Sequence, residues 1–239
     1  MSAINSRENS HTLPRLIYNA VSMTSSAVSP EEIAELLAPF LKPDVLTDSQ
    51  ISAVATYVEL LLKWNAKLNL TAIRDPLGIV TRHFGESFFA ARQLFPSAGP
   101  PESVIDVGSG AGFPGLPLKL WSSNIELTLV ESNLRKSTFL REVIRALRLT
   151  STTVLAERAE SVLRRVELVT LRAVERFEHI LPVAFSLVKP DGRIALLIGE
   201  AQVEAAKSAL PRIAWREPLS IPLTRNGKLL IGDLEIRGR

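Results

Sequence analysis

The stretch Val104–Gly115, VIDVGSGAGFPG, constrains the fold more than any other part of the chain. An apolar run with one acid ends in four glycines among the eight residues from Gly108 to Gly115. Such a run reads as a buried strand. The glycines behind it read as a turn that takes positive φ and lets the backbone approach a ligand closely. Gly110–Gly115 fits G-x-G-x-x-G, a weak pattern alone. It gains weight because a strand precedes it and a helix is expected from Pro114. A strand–helix turn without a ligand is the competing reading, and the context favours the ligand.

The residues after the loop keep the same alternation. SVIDV (103–107), ELTLV (126–130), TTVL (152–155), ELVTL (167–171) and RIALLI (193–198) are strand-like and separated by segments long enough for crossover helices. Lys189-Pro190-Asp191-Gly192 carries the signal of a type I turn. Asn226-Gly227, between IAWREPL (213–219) and KLLIGDLEI (228–236), carries that of a β-hairpin. The expectation is an open α/β sheet, parallel except for an antiparallel pair at its end.

Upstream the pattern is helical. Ser29-Pro30-Glu31-Glu32 and Thr47-Asp48-Ser49-Gln50 both place a capping hydroxyl three residues before a Glu or Gln. Behind the second, Ile51, Val54, Val58, Leu61 and Leu62 recur at helical spacing. A third helix is expected from Asp75-Pro76. Residues 29–96 therefore form a helical lobe, Ser97–Pro101 a break, and 97–239 the glycine-loop domain. Residues 1–28, rich in Ser and Asn and without a sustained period, read as a flexible tail.

Composition excludes several functions. Without cysteine there is no disulfide framework, no thiolate metal site and no thiol nucleophile, and three histidines leave little for a metal centre. No apolar run nears the ~18 residues of a membrane helix, and no secretory signal opens the chain, so a cytoplasmic protein without a membrane partner is expected. The net charge of +3 permits a nucleic-acid partner without demanding one.

Two acids narrow the ligand. A dinucleotide would lay its pyrophosphate over the glycine turn, where Asp106, two residues before Gly108, would repel it. S-adenosylmethionine (SAM) has no phosphate and carries a sulfonium and an ammonium group, which Asp106 would face directly or through water. Glu131, at the end of the second strand, suits the ribose hydroxyls of either ligand.

KWNAKLNLTAIRDP (63–76), RHFGES (82–87), IDVGSGAGFPGLPL (105–118), ESNLRKSTFL (131–140), RAES (158–161) and LRAV (171–174) together resemble the RsmG family, also called glucose-inhibited division protein B. The resemblance covers residues 58–200 closely and 30–57 loosely. It implies a class I SAM-dependent methyltransferase fold, Rossmann-like, with a seven-stranded sheet and a helical N-terminal lobe. It also implies a 7-methylguanosine methyltransferase of small-subunit (16S) ribosomal RNA, working on that RNA or on the assembling 30S subunit, with a monomer as the default. The cofactor contacts it implies are Gly108, Phe113, Ala159, Glu160 and Arg172, beside Asp106, Gly110 and Glu131 from the reading above. Three departures stand out. Arg135-Lys136 inverts the family's frequent Lys-Arg, Ile198-Gly199 replaces its Lys-Gly, and Glu86 stands for its Asp.

Arg135 and Lys136 open the helix after the second strand and are the expected RNA contacts, joined by Arg82 and His83 on the third helix. Arg141, Arg145 and Arg148 form a basic face that a solvated helix explains equally well. Tyr57 and Trp64 read as core. Guanine N7 has an in-plane lone pair and no proton, so no general base is expected and the work is alignment. The alternatives are a methyltransferase with another acceptor, a nicotinamide-dependent oxidoreductase, or an RNA-binding module without catalysis.

Overall fold

The computed structural model describes residues 28–96, 99, 102–173 and 177–234. The expected tail up to Ala27, and Ser97, Ala98, Pro100 and Pro101 of the expected break, lie outside them.

Both capping boxes form. Ser29 heads α1 (Pro30–Leu41) in a reciprocal pair with Glu32, and Thr47 heads α2 (Asp48–Leu68) in another with Gln50. Asp75 accepts the Gly78 N–H at 2.6 Å and starts the third helical stretch where expected. Its interior differs from a plain helix. After α3 (Pro76–Gly78) come seven residues of π-helix, Ile79–Gly85, and then α4 (Glu86–Leu94). Gly85 explains part of this, since a Cβ there would lie 2.5 Å from the Phe40 ring. Without one, the wide turn presses directly on α1.

The sheet has eight strands, not seven. The first five are β1 (Ser103–Val107), β2 (Glu126–Val130), β3 (Thr152–Leu155), β4 (Val166–Arg172) and β5 (Val188–Gly199). The last three are β6 (Ala214–Trp215), β7 (Leu219–Ser220) and β8 (Gly227–Asp233). The order is β3-β2-β1-β4-β5-β8-β6, with β7 also on β8. Strands β1 to β5 pair in parallel and β8 is antiparallel to its neighbours. The additional strand is the two-residue β7, too short to leave a period in the sequence.

Two turn expectations are corrected. Gly227 begins β8 and pairs with Gly199, so Asn226-Gly227 is not a two-residue hairpin turn and residues 221–226 make the connection. Asp191 has φ +60°, whereas a type I turn needs negative φ there. The segment is an excursion within β5, held because Asp191 N–H reaches Leu234 C=O at 3.1 Å and Leu234 N–H reaches Gly192 C=O at 2.8 Å.

Strand alternation sorts the core into two layers. Val104 and Leu168 face a layer shared with α5 (Gly115–Trp121), α6 (Leu134–Ala146) and the N-terminal helices. Ile105, Val107 and Val169 face α7 (Phe177–Ser186) and α8 (Val203–Ala209). The N-terminal helices thus share one core with a face of the sheet. The strand order reverses between β1 and β4, which opens a crevice at the strands' C-terminal ends.

Candidate functional site

A cleft of about 1020 Å³ occupies that crevice. One wall is the glycine loop and another is Glu131–Asn133 after β2. The 3-10 turn at Ala159–Ser161 contributes Ala159 and Glu160, β4 contributes Arg172, the link between α2 and α3 contributes Thr71, and the π-helix contributes His83.

The loop's hydrogen bonds decide what it can hold. Gly108 and Ser109 donate their N–H groups to Val130 C=O at 2.9 and 3.1 Å, and Gly112 donates to Ser109 C=O at 2.6 Å. Gly110 donates to a Glu131 carboxylate oxygen at 2.9 Å, and the other oxygen accepts from Asn133 N–H at 2.7 Å. A pyrophosphate needs such N–H groups free. Here they are occupied, and a carboxylate stands against the loop. Gly108 and Gly110, at φ +68° and +56°, still line the cleft without a side chain, so an uncharged or cationic ligand meets open backbone. The cleft wall carries three carboxylates (Glu131, Glu157, Glu160) against three cations (Lys136, Arg158, Arg172), a balance suited to a zwitterion rather than a polyanion.

Asp106 is not in that wall. It is 1% exposed and lies beneath the loop, where its carboxylate accepts from the Thr170 hydroxyl at 2.8 Å and Gly115 N–H at 3.3 Å. Asp106, expected to face a bound cation directly or through water, keeps its carboxylate within the protein, off the cleft wall. It ties the start of α5 to β4, and Glu131 is the acid that faces the loop. Burial pushes the Asp106 carboxyl up to about 6 despite those hydrogen bonds.

Phe113 sits inside an aromatic stack. Tyr57 covers one face at 5.3 Å between centroids, and His83 lies on it at 4.9 Å. The ring's role is to join the loop to the N-terminal helices, and only its margin reaches the cleft. Tyr57 and Trp64 are core residues, as expected. His83 pairs through Nε2 with Thr71 Oγ1 at 2.7 Å, and its buried Nδ1 has no protein partner. Burial, with Arg172 and Arg82 nearby, lowers its pKa to about 3, so the ring is neutral.

Arg172 crosses from β4 to the π-helix. It donates to Arg82 C=O at 3.0 Å and His83 C=O at 3.5 Å, and pairs with the Glu86 carboxylate at 2.8 Å. The site thus gathers Gly108, Gly110, Phe113, Glu131, Ala159, Glu160, Arg172, His83 and Lys136. It leaves the Arg82 side chain pointing outward, 68% exposed, and puts Arg135 in a neighbouring pocket. Sequence reasoning missed Thr71, Thr170 and His179. Thr71 lies in the NLTAIRDP stretch, the one signal that could have found it; the other two stand in no motif. The cation absent at Ile198 reappears across the sheet as Lys228, its register partner, 3.5 Å from Glu200.

Two shifted groups make a pH prediction with opposite signs. Asp106 is raised when folded, so its burial costs nothing below the unfolded pKa and destabilises as pH rises from about 4 to about 6. His83 is lowered, so it destabilises as pH falls below about 6.5. Relative to the parent, Asp106→Asn is expected to gain stability as pH rises through this window. His83→Gln is expected to gain as pH falls. Over the full span of each shift the change is about 3 kcal/mol for Asp106 and about 5 kcal/mol for His83, read from urea midpoints across the range. A difference for Asp106→Asn that does not vary with pH would mean the carboxylate stays ionised throughout.

Residues 50–226 match the model of the GidB family, described as rRNA small subunit methyltransferase G. The ribosomal RNA small subunit methyltransferase G of Roseiflexus sp. (strain RS-1) is 40% identical over 190 residues, covering 74% of this chain and 80% of that one. The protein of the same name from Xylella fastidiosa (strain 9a5c) is 36% identical over 216 residues, 87% of this chain and 98% of that one. Among solved structures, a SAM-dependent methyltransferase from Aquifex aeolicus superposes with TM-score 0.54 at 14% identity, covering 70% and 97% of the two chains. A SAM-dependent O-methyltransferase from Thermotoga maritima also gives TM-score 0.54, at 17% identity over 75% and 72%. These two likenesses establish the fold.

Proposed function

The chain belongs to the rRNA small subunit methyltransferase G family, and on that premise we propose that it methylates N7 of a guanine in small-subunit (16S) ribosomal RNA with SAM as donor. The observation that carries the cofactor is the glycine loop, in which Gly108, Ser109, Gly110 and Gly112 donate their N–H groups within the protein and whose facing acid, Glu131, would repel a pyrophosphate. Glu131 keeps lone pairs on both oxygens that suit ribose hydroxyls, and Ala159 and Glu160, which the resemblance implies as cofactor contacts, line the same cleft. Bound there, SAM supplies an electrophilic methyl group on a sulfonium.

The protein's part is alignment. Guanine N7 presents a lone pair without a proton, so no residue has to remove one. His83, held neutral, brings no charge to the cleft, and its Nε2 is engaged with Thr71. The fixed loop sets one side of the cleft, and Thr71, His83 and Arg172 line it beside the stacked Phe113. A guanine entering the cleft must be unpaired or turned out of its stack. Holding the reacting atoms in line at near-attack distance is the main source of acceleration.

Calorimetric titration with SAM tests this reading. The parent is expected to bind, and Glu131→Ala, which frees the Gly110 N–H and removes the ribose acceptor, is expected to bind at least tenfold more weakly, roughly 1.4 kcal/mol. Methyl incorporation into 16S RNA, mapped to guanine N7, then identifies the acceptor. A parent that binds a nicotinamide dinucleotide in place of SAM would overturn the proposal.

A further inference from the structure

Beside the cleft lies a second pocket, of about 250 Å³, between the end of α2 and the start of α6. Lys67, Arg135 and Lys136 line it with Asn69 and Asn133, and no carboxylate does. A fourth cation stands at its rim, because Asn69 Oδ1 accepts from the Arg74 guanidinium at 2.8 Å. Among the described residues none of these four cations is in an ion pair. Cations brought together without counter-charge repel one another until an anion arrives.

The pocket is built by packing. Trp64 and Tyr57 of α2 meet Phe139 of α6 at 5.7 and 6.2 Å, which brings the end of one helix to the start of the other. Asn69 closes α2 in the left-handed region, φ +48°, turning the chain toward Arg74. Asn133 Oδ1 takes the N–H groups of Arg135 and Lys136 at 3.0 and 3.2 Å, so that turn is fixed. Lys136 also lines the large cleft, so the two spaces are neighbours.

We propose that this pocket holds a backbone phosphate of the substrate RNA next to the nucleotide in the cleft, with Lys67, Arg74, Arg135 and Lys136 as its cationic walls. The inference rests on the methyltransferase reading above and assigns Lys67, Asn69 and Arg74 a role that the motifs do not. Phosphate contacts of this kind set the register of the RNA and leave its sequence unread.

The test compares Lys67→Ala, Arg74→Ala and Arg135→Ala with Lys207→Ala on α8, a distant cation as control. RNA binding is measured between about 50 and 200 mM salt. Each pocket variant is expected to flatten the slope of log affinity against log salt by about 0.7 to 0.9. KM for 16S RNA should rise while kcat and SAM affinity match the parent. Slopes and KM values for Lys67→Ala and Arg74→Ala equal to those of Lys207→Ala would overturn the proposal. So would a loss of activity on assembled 30S particles with unchanged binding of naked RNA, which would mark a protein contact. If the parent binds RNA but transfers no methyl group, the functional reading fails and the slopes still decide the pocket. If it binds no RNA, both fail.

Discussion

Replacing Arg172 with methionine is expected to cost about 3–5 kcal/mol of stability, the range for removing one partner of a buried ion pair. The pair with Glu86 is 12% and 11% exposed on its two sides, so the carboxylate left behind cannot recover its hydration. The carbonyls of Arg82 and His83 lose a donor as well. Arg82 Nε, 3.9 Å from Glu86 and mostly solvated, is a weak substitute. The double-mutant cycle with Glu86→Gln makes the test specific. The double variant is expected to be more stable than the sum of the single effects predicts, because neither charge is then stranded. Urea unfolding of the four proteins reads this directly. The arginine also lines the cleft, so SAM affinity is the second readout. A variant that stays within 1 kcal/mol of the parent but loses SAM binding would make Arg172 a ligand contact instead of a latch between sheet and helices.

This latch illustrates what the sequence could and could not convey. The strand runs, the glycine loop and both capping boxes are local patterns, and the structure places them where their spacing put them. Arg172 was legible as a cation at a strand end, but its partner is 86 residues away and reaches it only through the packing of the N-terminal helices. Asp106 is a similar case. Alternation along β1 puts it on the same face as Val104, but the hydroxyl that fixes it belongs to Thr170, and only the β1–β4 register brings the two together. Glu131, counted as suiting either ligand, also takes the Gly110 N–H, a backbone hydrogen bond that no residue pattern encodes. The π-helix was hidden for the same reason, since its residues read as an ordinary helix.

Gly112→Ala is the substitution expected to damage the site most for the smallest change in composition. Gly112 has φ +89°, where an L side chain costs about 1–2 kcal/mol. An added Cβ would also collide with the Tyr57 hydroxyl and lie 2.6 Å from Leu116 Cδ1. None of these neighbours has room to yield, because Tyr57 and Leu116 are fully buried. Overpacking of this kind adds about 1–3 kcal/mol. The Tyr57 hydroxyl donates to Ala111 C=O, so relief by moving the ring would break the bond that fixes the loop. SAM affinity is therefore expected to fall together with stability. Tyr57→Phe alone should cost about 1 kcal/mol for the lost hydrogen bond. Combined with Gly112→Ala it removes the colliding oxygen, so the double variant is expected to be more stable than the sum of the two single effects predicts. Thermal unfolding and SAM titration of the three variants check both parts. A Gly112→Ala protein with parental stability and affinity would show that the loop can shift, and that the contact between Tyr57 and the glycine turn does not set the shape of the cofactor cleft.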